Sequence, residues 1–163
     1  VPRPATADLE GLLRALTDAG VVFIVVGGAA AVIHGAPVTT QDLDIVPRLV
    51  GDDAPRLVAT LTELDARFRP VLAGRDIAPT VEHVIARGQL NLITRLGPLD
   101  VLGRLHDARG FEELDAHAIE IVDGDLRVRV IDLATLIEIK RSTGRVRDQL
   151  VVPILEALRA RSS

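Results

Sequence analysis

The spacing of apolar and polar positions divides the chain into a short series of helices and strands. Leu9, Leu12, Leu13 and Leu16 recur at helical intervals over 8–19, and Gly20 follows as a stop. Residues 21–26, VVFIVV, form a continuous apolar run rich in β-branched side chains and predict a buried strand. After Gly27 and Gly28 the run AAAVIHG predicts a short helix, ended by Gly35. A second strand is predicted over 42–47. A helix is predicted over 53–66, with Pro55 in its first turn and Leu57, Val58, Leu61 and Leu64 inward. QLNLITR and LDVL flank LGP and predict a hairpin; AIEIVDGDLRVRVI places a turn signal, DGD, between two alternating strands. Two helices follow, over about 133–142 and 145–160, separated by Gly144. No repeat, linker or low-complexity segment interrupts this order. The pattern predicts one α/β or α+β domain over 1–163, with a core at about 10–131 and a C-terminal helical part at about 132–160.

The second strand carries an anomaly. In a strand, residues i and i+2 share a face, so Asp42 and Asp44 project together while Leu43 and Ile45 point into the core. Paired carboxylates suit a hard cation with oxygen ligands, usually Mg²⁺; a plain solvated strand face accounts for the same pattern. Asp100, in PLDVL, is another single acid inside an apolar run. If the three converge, each pair at ~5 Å repels by ~3 kcal/mol at an effective dielectric of ~20, and a cation would offset that.

Gly27 and Gly28 end the first strand and lead into a helix, which lets backbone N–H groups approach an anion such as phosphate; a tight turn is the simpler reading. No GK[ST] follows, so this is not a Walker loop, and no Gly-x-Gly-x-x-Gly supports a dinucleotide fold. Phosphate beside paired carboxylates points to metal-assisted phosphoryl or nucleotidyl transfer.

Composition changes the picture at a few points. A chain of 163 residues that is 48% hydrophobic can bury a real core, and its net charge of −4 exerts no global attraction on nucleic acid or anionic membrane. With three phenylalanines as its only aromatics, it would not hold RNA mainly by base stacking. The absence of cysteine excludes disulfides and thiolate metal sites and suits a reducing, cytoplasmic setting. No apolar run approaches the ~20 residues that span a bilayer. No signal-peptide pattern opens the chain, and Val1 is not an ordinary Met start.

Of 19 basic residues only Lys140 is a lysine. In a chain that otherwise uses Arg, a retained Lys marks a place that wants a compact point charge. Leu133, Leu136, Ile137 and Lys140 follow i, i+3, i+4, i+7, which places it on the inward stripe, as a phosphate contact or as a side chain snorkelling from the helix end. KRSTGRVR, holding four bases and no acids, predicts a local positive patch. His34, His83, His106 and His117 show no metal-ligand spacing, and Ser142, Ser162 and Ser163 sit in no nucleophile elbow.

VVGGAAAVIHG followed by T-x-DLDIV resembles the nucleotidyltransferase superfamily related to DNA polymerase beta, whose pattern is strand, Gly-Gly or Gly-Ser, short helix, Asp-x-Asp, then a third acid on a later strand. NLITRLGPLDVL looks like the third motif. VIDLATLIEIKRSTGRVRDQLVVPIL looks like the helical motif of AbiEii/MenT-type toxins, and the match runs from about residue 10 to 158. The resemblance implies a polymerase beta-like fold, a mixed sheet flanked by helices with C-terminal helices.

It also implies a toxin that adds nucleotides, in the MenT-type case pyrimidine nucleotides from CTP or UTP, to the 3′ end of tRNA, blocking aminoacylation and arresting growth. Asp42 and Asp44 would bind Mg²⁺ or Mn²⁺, with Asp100 as third ligand or as base. Gly27, Gly28 and Lys140 would hold the triphosphate, with Thr40, Arg147 and Asp148 beside them; Asp148 could instead pair with Arg145 or Arg147. A cognate antitoxin is implied, in some relatives a kinase acting beside Asp-x-Asp, here on Thr40 or else Thr39. Val38 stands where many relatives carry Arg, so a contact from that Arg does not carry over. Two alternatives stand: a small-molecule, antibiotic-modifying nucleotidyltransferase, for which only Glu112, Glu113 and Asp115 offer an acidic cluster, and a non-catalytic or antitoxin module that keeps the fold.

Overall fold

The computed structural model describes residues 2–70 and 76–162; Val1 and Ser163 lie outside them. Helix α1 (Leu9–Asp18) begins where the Asp8 carboxylate accepts from Gly11 N, and it buries Leu12, Leu13 and Leu16. Strand β1 (Phe23–Val26) is buried at all four positions and runs straight into α2 (Gly27–Ile33). Strand β2 (Leu43–Pro47) leads to α3 (Asp53–Glu63), whose first residue accepts two hydrogen bonds from Arg48 and one from Val50 N. Then come β3 (Arg67–Phe68), α4 (Val81–Ile85), β4 (Gln89–Thr94), β5 (Gly97–Leu102), α5 (Phe111–Asp115), β6 (Ala118–Asp123), β7 (Leu126–Ile131), α6 (Leu133–Ser142) and α7 (Val146–Ser162).

The strands form one seven-stranded mixed sheet in the order β3-β4-β5-β2-β1-β7-β6. Strand β2 lies antiparallel to β1 and parallel to β5, and β1 lies parallel to β7; both predicted hairpins, β4–β5 and β6–β7, are antiparallel neighbours. The three central strands carry fully buried Ile24, Val25, Leu43, Ile45, Val46 and Leu99, and the buried residues of α1, α2, α3 and α6 join them in one hydrophobic core. No helix of the described residues is long and apolar enough to cross a membrane. The α/β class expected from the pattern and the mixed sheet with flanking and C-terminal helices implied by the resemblance are both observed.

Three elements escape the pattern. Strand β3 has two residues, and α4 and α5 have five each, too short for a helical period to register. Local polar chemistry sets the two helices instead: Thr80 and His83 bond reciprocally across the start of α4, and Glu113 reaches back to Gly110 N at the start of α5. Helix α2 also differs from expectation, since Gly27 and Gly28 are its first two residues and do not precede it. Strand β2 begins at Leu43, so Asp42 and Thr40 lie in the approach to the strand.

Candidate active site

Sheet register builds the centre of the site. Asp44 is level with Val26 on one side and with Asp100 on the other, so the end of β1, the start of β2 and the middle of β5 meet on one line. Leu43 and Ile45, fully buried, hold the alternation that turns Asp44 the other way. Asp42, one residue before the strand, joins them: Asp42, Asp44 and Asp100 each bring an oxygen within 4.8 Å of the others. The three acids converge, which spacing along the chain left open.

The glycine pair makes room for this cluster. Gly27 has φ +66°, and a Cβ there would stand 2.3 Å from Asp44 Oδ2. A Cβ on Gly28 would stand 2.7 Å from Thr40 Oγ1. Both glycines are therefore required by neighbours on the Asp-x-Asp segment. Thr40 also donates from Oγ1 to the Asp42 carbonyl at 3.1 Å. Because β2 starts at Leu43, strand alternation does not separate Thr40 from Thr39: both line the same cleft, and Thr39 is the more exposed.

Electrostatics follow from this crowding. Asp44 is pushed up to about 7, first by burial, then by the charge of Asp100 and that of Asp42, with Lys140 opposing. Burial also raises Asp100, against the pull of Arg69. A cluster of oxygen donors that resists holding three negative charges unaided fits a hard divalent cation.

Lys140 lies on the inward side of α6 as its spacing predicts, and its Nζ lies 3.1 Å from Asp148 Oδ1. Asp148, at the start of α7, is buried; Thr143 Oγ1 and Arg145 Nε bond its other oxygen at 2.7 and 2.8 Å. Burial works to raise the Asp148 carboxyl, but Thr143, Lys140 and Arg145 outweigh it and hold it below the usual range. Of the two arginines that could pair with Asp148, Arg145 does. This is a correction to the positive patch as well: Lys140 and Arg145 are paired to Asp148, and Arg141 is paired to Glu156, which leaves Arg147 as the member without an ion pair among the described residues.

Two adjoining clefts, of about 430 and 360 Å³, open over this centre and share Gly27, Asp42, Asp44, Lys140, Arg145, Arg147 and Asp148. The first continues past Asp100 over Leu102, Leu105, Leu136 and Ile139, with Gln89, Arg104 and His106 at its polar wall. The second continues past Gly28, Thr39 and Thr40. Every site residue picked from the sequence lies on one cleft or both. Glu112, Glu113 and Asp115 line neither. Sequence reasoning missed Arg69, Gln89, Arg104 and His106. None stands in a motif, and Arg69 donates to Asp100 across 31 residues of chain.

No protein-family profile matches the sequence, and no curated protein is similar to it in sequence. Solved structures are similar in fold. One is a protein of Thermotoga maritima, TM1012, assigned by inference as a nucleotidyltransferase, with a TM-score of 0.55 and 17% identity over 89% of this chain and 88% of its own. Another is the lincosamide antibiotic adenylyltransferase LnuA in its lincomycin-bound form, with a TM-score of 0.65 and 11% identity over 95% of this chain and 99% of its own. The chain has the nucleotidyltransferase fold.

Proposed function

We propose that this protein is a metal-dependent nucleotidyltransferase, moving a nucleoside monophosphate from an NTP to an acceptor hydroxyl and releasing pyrophosphate. The observation that carries the reading is the convergence of Asp42, Asp44 and Asp100 beside the glycine-lined start of α2 and the inward Lys140. Asp42, Asp44 and Asp100 would hold Mg²⁺ or Mn²⁺. When bound, the cation supplies charge stabilisation to the phosphate under attack and to the leaving pyrophosphate. Gly27 and Gly28 line the second cleft with no side chain of their own, so Asp44 and Thr40 pack directly on the backbone there and the triphosphate would meet that backbone beside them. Lys140 offers a compact charge to it, held in place by Asp148, and Arg147 offers a second. Asp100, which lines the first cleft only, would face the acceptor.

The acceptor we propose is the 3′ end of tRNA, with CTP or UTP as donor, in a growth-arresting toxin acting in the cytoplasm. Support comes from the wall of the first cleft, where Arg104 and Arg147 present cations suited to a polyanion, Arg145 being paired to Asp148. The acidic cluster that a cationic small molecule would want lies outside both clefts. A second reading, transfer to a small molecule, is favoured by the similarity in fold to LnuA over nearly the whole of both chains and by the apolar floor of Leu102, Leu105, Leu136 and Ile139. Incubation with each labelled NTP and Mg²⁺, in separate arms with total tRNA and with lincomycin, separates them. Label on tRNA supports the first reading and label on lincomycin the second. Transfer in neither arm, with no pyrophosphate released, supports a non-catalytic module.

A cognate antitoxin kinase would act on Thr40 or Thr39. A phosphate at either adds about −1.5 to −2 charge on the wall of the second cleft, where it would repel the triphosphate. Mass spectrometry of protein co-expressed with its neighbouring gene product tests this, with Thr40→Val and Thr39→Val as controls. An unmodified pair, or a phosphorylated form of full activity, overturns it.

A further inference from the structure

Arg69 follows the two-residue strand β3 and is the one cation in hydrogen-bond contact with the carboxylate triad among the described residues. Its guanidinium donates to Asp100 Oδ1 at 2.5 Å and to the Leu92 carbonyl at 2.8 Å, while its backbone N–H donates to the Asn91 carbonyl at 2.9 Å. Three bonds to β4 and β5 make it a fixed group. The Asp100 side chain is 9% exposed and that of Arg69 31%, so the pair sits where water screens it poorly. Asn91 is level with Asp100, and Asp100 with Asp44, so Arg69, bonded to β4, reaches the triad from the β4 side of β5.

We infer that Arg69 is a resident counter-ion of the triad, a positioning residue that offsets part of the Asp42, Asp44 and Asp100 repulsion in the protein without metal and so sets how tightly a divalent cation binds. This rests on the cation-binding role given to the triad under Proposed function. The chemistry is simple competition of charge. Three carboxylates with oxygens within 4.8 Å of one another repel, and a positive partner offsets that. Arg69 supplies one elementary charge through one oxygen of Asp100, leaving the other oxygen for a metal. A cation that enters then meets a cluster already partly neutralised, and its binding is weakened by the nearby guanidinium. A weakly held cation is one that can arrive and depart with the nucleotide.

The test compares Mn²⁺ binding, by electron paramagnetic resonance, and melting temperature with and without Mg²⁺ for wild type, Arg69→Gln, Arg69→Met and Arg69→Lys. Gln keeps a donor and loses the charge; Lys keeps the charge. The expected result is that Gln and Met bind Mn²⁺ on the order of tenfold more tightly than wild type, while Lys does not. Both uncharged variants should melt lower than wild type without cation and gain more from Mg²⁺, because tighter binding to the folded state stabilises it further. Uncharged variants that fold only in Mg²⁺ also support the inference. Equal or weaker Mn²⁺ binding, or a loss of stability that Mg²⁺ does not reduce, overturns it and leaves Arg69 a structural ion pair. A wild type that binds no Mn²⁺ overturns the metal-dependent reading itself, and this inference with it.

Discussion

The Cβ that Gly27 lacks would stand 2.3 Å from Asp44 Oδ2. The first residue of α2 and the central carboxylate of β2 thus define each other: the backbone turns at φ +66° directly beneath the acid. Gly27→Ala should cost on the order of 1–3 kcal/mol in backbone strain and displace Asp44 as well. Its melting temperature should fall by several degrees and its transferase activity more steeply. Gly28→Ala, at a residue without positive φ, meets Thr40 Oγ1 at 2.7 Å and Thr40 Cβ at 3.1 Å and should be milder, and Gly28→Ala with Thr40→Ala milder still. Thermal melts read beside kcat/KM check the order.

Asp42→Ala and Asp44→Ala should separate function from stability. Either removes one charge from a cluster whose members repel, so the fold should persist and the melting temperature without cation should hold or rise by a few degrees. Transfer should drop by a factor on the order of a thousand, since the site loses a ligand for the cation that stabilises the reacting phosphate. Thermal melts with and without Mg²⁺, paired with a nucleotide-incorporation assay, measure both effects.

Lys140→Arg keeps the charge and changes its shape. The Lys140 side chain is 11% exposed and bonded to the buried Asp148, so the broader planar guanidinium cannot take the same position. A displacement of about 1 Å would lower kcat/KM by about 100-fold, with the fold retained because Asp148 keeps Thr143 and Arg145. Steady-state kinetics with NTP and acceptor varied in turn reveal the loss; a variant matching wild type would make Lys140 an anchor for α7 alone.

The pH dependence of the protein without metal has a definite sign. An unfolded Asp titrates at about 3.9. Asp44 in the folded chain is pushed up to about 7, mainly by burial and next by Asp100, so between these values the folded state holds the extra proton. That contribution is fully present below the unfolded value and is lost as pH rises through 7. From about pH 5 to pH 8 the melting temperature of wild type should therefore fall relative to that of Asp44→Asn. Cation binding should release protons over the same interval, which calorimetry in buffers of different ionisation enthalpy will register.

Much of this protein is legible along the chain because its strongest signals are local. VVFIVV, the leucines of α1 and the two hairpins read directly, since side-chain burial repeats with the period of the element that carries it. The same alternation turned Asp44 away from buried Leu43 and Ile45, and helical spacing turned Lys140 inward; Asp42 reaches the same place from the approach to the strand. Position in the fold was decided by the sheet. Only the pairing of β2 with β5 makes Asp44 and Asp100 neighbours, and that pairing spans more than fifty residues of chain. Only the packing of α6 on α7 sets Lys140 against Asp148 and turns an apparent basic patch into a partly neutralised network. Arg69 is the extreme case: a two-residue strand carries no period, and nothing local marks that its guanidinium will reach Asp100. Periodicity states which way a side chain faces; what it faces depends on strand order, which exists only once the chain has closed on itself.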